Sequence, residues 1–193
     1  EHEDSVRYSF KEDPRIDWLV DFLKSNREEK LLLICKSQRK ALAIEAALKE
    51  KINAKVGLFH EGLPLVKRDR NAAWFAEKDG AQLLICSEIG SEGRNFQFAH
   101  HLVLFDLPLN PGLLEQRIGR LDRIGQTETI KVHIPYVEGS CYQFIADWYH
   151  SGLNSIESSL HGGTEYQDKF KARLLDLALK FDAASLAVKG NPW

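Results

Sequence analysis

Short apolar runs alternate with segments of helical periodicity along most of the chain. Apolar residues at positions 16, 19, 20 and 23 predict a first amphipathic helix that starts at Pro14 and ends near Asn26. The continuous apolar run over 31–35 predicts a strand that is buried on both faces. Ser37 can cap the next helix, which the pattern ends near Asn53.

The same alternation continues along the chain and then gives way to helices. Strands are predicted over 55–59, 82–86, 101–105 and 129–136, with helices over 65–77 and from Pro111 to about Ile124. Two more helical stretches, roughly 140–160 and 165–186, are separated by Gly162 and Gly163. Strands and helices in alternation predict the α/β class, with a parallel sheet covered on both faces and joined by right-handed crossovers.

Composition and charge narrow the class of protein. The 193 residues are 44% hydrophobic, which is enough for one compact domain with a core. A net charge of −2 means that any contact with nucleic acid must use local patches. Three cysteines without a CxxC spacing argue against disulfides and favour a reducing cytosol, and no apolar run approaches the ~20 residues of a membrane span. The chain has no methionine, which we interpret as the mark of an excised fragment.

Polar residues follow the predicted strands at their carboxyl ends, where parallel sheets gather function. They are Lys36 and Ser37, His60 and Glu61, Ser87 and Glu88, and Asp106. A metal site is not expected, because the seven histidines show no ligand spacing with cysteines or acids.

The stretch QRIGRLDRIGQ over 116–126 is the most informative in the chain. Gln116, Arg120 and Arg123 have the spacing i, i+4, i+7, which predicts that one helix face presents an amide and two guanidiniums. Arginine binds phosphate oxygens bidentately and stays charged, so this face suits a polyphosphate and the charge that develops on a transferred phosphoryl group. The alternative is ordinary pairing of these arginines with surface acids such as Glu115 and Asp122.

A loop with two glycines follows the strand predicted over 82–86. Gly90 and Gly93 would let backbone N–H groups approach an anionic ligand closely, although the same pattern is typical of simple turns. Glu88 and Glu92 lie in this loop, and their carboxylates would repel phosphate. Direct phosphate contact through these two side chains is therefore not expected.

Four stretches together resemble the motifs of one family. QRIGRLDRIGQ strongly resembles motif VI of superfamily-two helicases, and its RxGQ end resembles the Swi/Snf branch. The loop over 87–96 resembles motif V, LLLICKS over 31–37 resembles motif IV, and FHEGL over 59–63 resembles motif IVa. Over roughly 14–160 the chain resembles the bacterial RNA polymerase-associated Swi/Snf ATPases. The resemblance implies a RecA-like three-layer lobe over 14–138. The charged start of the chain predicts a flexible segment over 1–13, and the two helical stretches predict a helical extension over 139–193.

The resemblance also implies roles for individual residues. Arg120 and Arg123 would act as arginine fingers on ATP, with Gln116 on the same helix face. Gly93 and Asn95 would lie on the nucleotide side of the motif V loop. The nucleic-acid side would be formed by Lys36, Ser37, His60, Ser87 and Glu88.

A complete motor of this class also needs a phosphate-cradling GK[ST] loop and an acidic magnesium-binding motif, and neither occurs in this sequence. We therefore expect ATP and magnesium to be bound mainly by an N-terminal RecA-like lobe of the same polypeptide, and the isolated chain to be inactive. The other partners that the resemblance implies are DNA or RNA, and RNA polymerase, which the family helps to recycle after transcription. The implied location is the bacterial cytoplasm, in association with the nucleoid.

Two other functions stay open from the residues alone. The fold could serve as a non-catalytic docking module for RNA polymerase. It could also be an ordinary dinucleotide-binding metabolic domain, but no GxGxxG follows the first strand and the two arginines would have no evident use there.

Overall fold

The computed structural model describes residues 7–122 and 126–152. Up to residue 104 the elements follow the predicted alternation, with every boundary within two residues of its predicted position. The helices are α1 (Pro14–Ser25), α2 (Gln38–Lys51) and α3 (Leu65–Ala76), and the strands are β1 (Leu31–Cys35), β2 (Val56–Phe59), β3 (Leu83–Ser87) and β4 (His101–Leu104).

The elements after β4 depart from the predictions in two places. They are α4 (Pro111–Ile118), β5 (Lys131–His133), α5 (Cys141–Asp147) and a π-helical turn over Trp148–Gly152. The prediction of a helix reaching about residue 124 was wrong, because α4 ends at Ile118 and the chain turns at Gly119. Strand β5 is shorter than predicted, and Pro135, which has no N–H to donate to a ladder, follows it closely. The helical predictions over 153–160 and 165–186 lie outside the described residues.

The five strands of the described residues form one parallel sheet in the order β2-β3-β1-β4-β5. The strands β1, β3 and β4 are buried along their whole length, as predicted for a sheet covered on both faces. In register, Cys35 of β1 lies opposite Ser87 of β3, and Phe59 of β2 lies opposite Cys86. The predicted α/β class with a parallel sheet is confirmed.

Helices α1 and α2 cover one face of the sheet. Their buried residues form a single core with alternate residues of β1 and β3: Ile16, Leu19, Val20, Leu23, Ala41, Ile44, Ala47 and Leu48 pack with Leu31, Leu33, Leu83 and Ile85. Burying each leucine, isoleucine or valine side chain of this core contributes roughly 1.5–3 kcal/mol. Phe10 joins this core and meets Phe105 edge-on at 5.2 Å between ring centroids, so packing starts before the predicted boundary at residue 14.

The chain divides into two compact units. The first contains the residues up to Asp106 together with Ile118–Pro135, and it holds the whole sheet. The second contains Leu107–Arg117 and the residues from Tyr136 onward. These units do not coincide with the predicted domains 14–138 and 139–193, because α4 groups with α5. Within the described ranges, no helix combines the length and the apolar character that crossing a membrane requires.

Candidate nucleic-acid rim and arginine segment

Five of the predicted site residues lie at the carboxyl ends of three neighbouring strands. The order β2-β3-β1 places the ends of these strands side by side, and the N–H of Glu88 donates to the carbonyl of Cys35 at 2.9 Å just beyond the ladder. The structure therefore brings together all five residues predicted for nucleic acid. They are referred to below as the strand-end rim: Lys36, Ser37, His60, Ser87 and Glu88.

The turn after β1 is fixed by the cap of α2 and by a carboxylate at the end of β4. Ser37 is the N-cap of α2, and its hydroxyl accepts from the N–H of Lys40 at 3.5 Å. Asp106 accepts from the N–H of Lys36 at 3.1 Å and pairs with the ammonium of Lys40 at 2.7 Å. Because the side chains of this pair are only 12% and 6% exposed, little water screens it. The positive end of the α2 dipole is thus held at the rim.

His60 is a buried rim residue whose ring nitrogens both lack a hydrogen-bond partner. Burial lowers its pKa; the carboxylate of Glu61 opposes that shift, whereas the cations of Lys67 and Arg68 add to it. The Nε of Arg68 is buried without a partner as well. Leaving such a group unsatisfied costs about 1–3 kcal/mol, and native proteins keep few of them. The orphaned nitrogens make the end of β2 a candidate place for an anionic ligand.

Ser87 is fully buried at the end of β3, and its hydroxyl is engaged within the protein. It donates to the carboxylate of Glu61 and accepts from the N–H of Gly90 at 3.0 Å. A Cβ on Gly90 would lie 2.5 Å from the Cα of His60 and 2.8 Å from the carbonyl oxygen of Phe59, so the turn requires glycine at this position. Ser87 therefore joins the loop after β3 to the turn after β2.

The loop after β3 carries the two residues predicted for the nucleotide side. Gly93 has φ +72°, a conformation that favours glycine, and open space surrounds its Cα. Asn95 is exposed, and its side chain accepts from the N–H of Gln97 at 3.0 Å and donates to the Gln97 side chain at 2.8 Å. Arg94 ties the loop to α3 through Asp69 at 2.6 Å. Gly93 and Asn95 thus lie on an exposed, ordered turn.

The arginine segment, residues 116–126, is not one continuous helix. Gln116 is exposed on α4 in the second unit, whereas Arg120 lies beyond the end of α4 in the first unit. The prediction that these residues share one helix face was wrong, because the amides of Leu121 and Asp122 bond back to the carbonyl of Ile118 at 3.0 and 3.1 Å and form a turn there. Arg123 lies outside the described residues.

Arg120 is buried and held against the segment that follows the β3 loop. Its carbonyl accepts from the N–H of Phe96 at 2.8 Å. Burial raises the pKa of the Cys86 thiol, and the positive charge of Arg120 partly offsets that rise, so the guanidinium acts close to β3. The amide of Gln126 donates to the carbonyls of Gln97 at 2.9 Å and Leu121 at 3.2 Å. Arg120 therefore belongs to the same side of the molecule as the β3 loop.

Sequence reasoning missed several residues that organise these sites. It named Asp106 and Glu61 as strand-end residues but gave neither a role, and it gave none to Gln126. Arg117 is 2% exposed on α4, although its sequence position alone suggests a solvated cation. The partners of Asp106 and Glu61 lie 66 and 26 residues away in the chain, so no local pattern signals the contacts. The QRIGRLDRIGQ motif itself was the available signal for Arg117 and Gln126.

The class of protein follows from comparison with known families. Residues 14–125 match the family model described as the helicase conserved C-terminal domain. This range contains four of the five strands, the strand-end rim and most of the arginine segment. The chain therefore belongs to the helicase conserved C-terminal domain family.

Particular relatives narrow the class further. A model described as RNA polymerase recycling family C-terminal matches residues 129–188. Over 164 residues the chain is 52% identical to the RNA polymerase-associated protein RapA of Erwinia tasmaniensis. The matched stretch covers 84% of this chain but only 17% of RapA. The predicted kinship with the bacterial RNA polymerase-associated proteins is confirmed. The chain spans about a sixth of the length of this relative.

Solved structures confirm the predicted RecA-like fold. The C-terminal part of the Fun30 ATPase domain superposes with a TM-score of 0.59 at 22% identity, covering 84% of this chain and 54% of that one. The C-terminal domain of Dbp5 from S. cerevisiae also gives a TM-score of 0.59, at 19% identity, and covers 89% of this chain and 95% of that one. Likeness at such low identity concerns the fold alone.

Proposed function

We propose that this chain is the C-terminal motor lobe of an ATP-dependent nucleic-acid translocase that acts together with RNA polymerase. The observation that carries the proposal is the placement of the strand-end rim and of Arg120 within one unit, in a chain of the helicase C-terminal family. The rim would follow a nucleic-acid backbone, and Arg120 with Arg123 would act on a triphosphate.

The rim has the chemistry that a phosphate backbone requires. The N-terminus of α2 offers the positive end of a helix dipole beside Lys36, and the end of β2 offers the unpartnered nitrogens of His60 near Lys67 and Arg68. Each neutralised phosphate adds affinity that falls with salt. Because the net charge is −2, these local cations would have to supply the attraction. DNA or RNA is the ligand class that fits.

The arginines would supply charge stabilisation for ATP hydrolysis. A guanidinium binds two phosphate oxygens at once and stabilises negative charge as it develops. Such a finger contributes about 10³ to 10⁵ in rate. Gln116, Gly93 and Asn95 would complete this lobe's share of the nucleotide site. ATP with magnesium would supply the phosphoryl group and the metal charge when bound.

The rest of the nucleotide site would come from another part of the same polypeptide. The sequence contains no GK[ST] loop and no acidic magnesium motif, so an N-terminal RecA-like lobe would hold the triphosphate and the metal. Because the chain spans 17% of its RapA relative, the complete protein has ample length for such a lobe. The isolated chain would then be inactive. The name of that relative supports RNA polymerase as the partner, in the bacterial cytoplasm.

Steady-state ATPase of the full-length protein, with and without DNA, tests the motor proposal. Arg120→Ala and Arg123→Ala should each lower the rate by about 10³-fold or more while ATP binding is retained. Arg27→Ala is the matched control, because Arg27 is an exposed arginine in the turn after α1 and should leave the rate unchanged. Near-wild-type rates in both arginine variants would show that neither residue acts as an arginine finger, and the motor proposal would then be wrong.

The second candidate is a non-catalytic docking module for RNA polymerase. The match of residues 129–188 to the RNA polymerase recycling model is the observation that favours it. The discriminating measurement is multi-round transcription with full-length protein that carries Arg120→Ala. Stimulation at the wild-type level would favour docking, whereas polymerase binding without stimulation would favour the motor.

A further inference from the structure

The second unit contains a buried tyrosine, Tyr149. This residue lies in the π-helical turn after α5, is completely buried and contacts the ring of Trp148 at 4.8 Å between centroids. On α4, the side chains of Pro111, Leu114 and Arg117 are buried too. With only eight residues, α4 is too short to be stable alone, so it depends on tertiary packing.

The hydroxyl of Tyr149 reaches the segment that leads into α4. It donates to the carbonyl of Pro108 at 2.5 Å, three residues before the helix begins. Burial raises the pKa of Tyr149 and the positive charge of Arg117 lowers it by less, so the hydroxyl keeps its proton and stays a donor. π-helical turns are rare and are found frequently at functional sites. Here the turn places a buried donor against the entry to α4.

We propose that Tyr149 is a positioning residue for α4, and through it for the motif VI side chains Gln116 and Arg117. The hydrogen bond to Pro108 fixes where α4 starts, and α4 leads directly into Gly119 and Arg120. The region matched by the RNA polymerase recycling model would then contribute to ATP hydrolysis by positioning α4. This inference rests on the proposed function of the arginine segment.

Full-length protein with Tyr149→Phe provides the test, because phenylalanine keeps the ring and removes only the hydroxyl. We expect kcat for ATP hydrolysis, normalised to the folded fraction by circular dichroism, to fall about fivefold with an unchanged KM for ATP. Tyr136→Phe is the matched control, since Tyr136 belongs to the same unit but is 40% exposed. It should behave as wild type.

A double-mutant cycle with Gln116→Ala separates positioning from a general structural role. If Tyr149 acts through α4, the double variant should lose less activity than the product of the two single losses. A multiplicative loss, or a wild-type kcat for Tyr149→Phe, would overturn the inference. The proposed function has its own test. It is wrong if Arg120→Ala and Arg123→Ala both leave the rate of ATP hydrolysis unchanged.

Discussion

The strand-end rim is placed by the register of the sheet and by buried side-chain contacts, whereas the arginine segment is held by backbone turns beyond α4 and by the amide of Gln126. At the rim, the parallel register sets Cys35 opposite Ser87, and the residues that follow are placed by the strands themselves. Arg120 instead lies in the turn after Ile118, where its carbonyl accepts from the N–H of Phe96 and the amide of Gln126 donates to the neighbouring carbonyl of Leu121. Substitutions that strain the backbone of the rim or break its buried ion pair should therefore lower the free energy of unfolding. Substitutions in the arginine segment should lower mainly the rate of ATP hydrolysis.

The largest effect expected at the rim follows from removing the carboxylate at the end of β4. Asp106→Ala would remove the carboxylate that pairs with the nearly buried ammonium of Lys40 and accepts from the N–H of Lys36. Breaking a buried pair in this way costs about 3 kcal/mol. Urea unfolding should show this loss in the free energy of unfolding.

A second carboxylate provides the control for that experiment. Asp69 pairs with Arg94, but the two side chains are 51% and 38% exposed, so water screens the pair. Asp69→Ala should cost less than about 1 kcal/mol. Equal losses for the two variants would mean that burial of the Asp106 pair does not matter, and the rim would then be no more tightly fixed than its surroundings.

A smaller loss is expected where two backbone segments of the rim meet. In Gly90→Ala the new Cβ would press on the backbone of Phe59 and His60, which can move only by disturbing the end of β2. Overpacking of this kind costs about 2 kcal/mol. Gly93→Ala has open space around it and meets only the strain of φ +72°, about 1 kcal/mol.

Urea unfolding of the two glycine variants also tests whether the rim is shaped by close packing. Nucleic-acid affinity, measured on the full-length protein, should fall in Gly90→Ala more than in Gly93→Ala. If Gly93→Ala proves the more costly of the two, backbone conformation rather than close approach controls the loop after β3.

The two regions also differ in how well the sequence predicted their local structure. The apolar runs of β1 and β3 end where the strands end, so the rim residues after them could be predicted from the pattern alone. The apolar pattern of α4 predicts too long a helix, because Leu121 continues the helical spacing of Leu114 beyond Ile118. Only Gly119 indicates where the helix ends. The motif wording grouped Gln116 with Arg120 but could not show that α4 ends between them.

Contacts between distant parts of the chain could not be predicted. Three side-chain contacts join different elements, and no residue spacing within one element predicts them. They are Asp106 with Lys40, Ser87 with Glu61, and Tyr149 with Pro108. The grouping of α4 with later residues likewise depends on contacts between distant parts of the chain. The sequence places α4 between two strands of the sheet, whereas its packing partners include residues from beyond Tyr136.

The smallest expected effect concerns pH and separates the rim from the arginine segment once more. His60 is the one rim residue whose side-chain type has an ordinary pKa near neutrality, whereas an arginine keeps its charge throughout. Burial lowers the pKa of His60 in the free protein, with Glu61, Glu45, Lys67 and Arg68 also acting on it. A phosphate bound at the rim would raise that pKa, so binding would be accompanied by uptake of a proton.

Proton uptake of this kind sets the sign of the pH dependence. Affinity for nucleic acid should rise as the pH falls from the pKa of the complex toward the lower pKa of the free protein, by at most about tenfold per pH unit for one proton taken up. Fluorescence anisotropy of the full-length protein with labelled DNA at fixed ionic strength would measure the rise. His60→Gln should flatten the profile, whereas His150→Gln, at an exposed histidine in the π-helical turn, should leave it unchanged. A profile that persists in His60→Gln would show that the phosphate lies elsewhere on the rim, and the backbone-held turn after β1 would then be the principal anion contact.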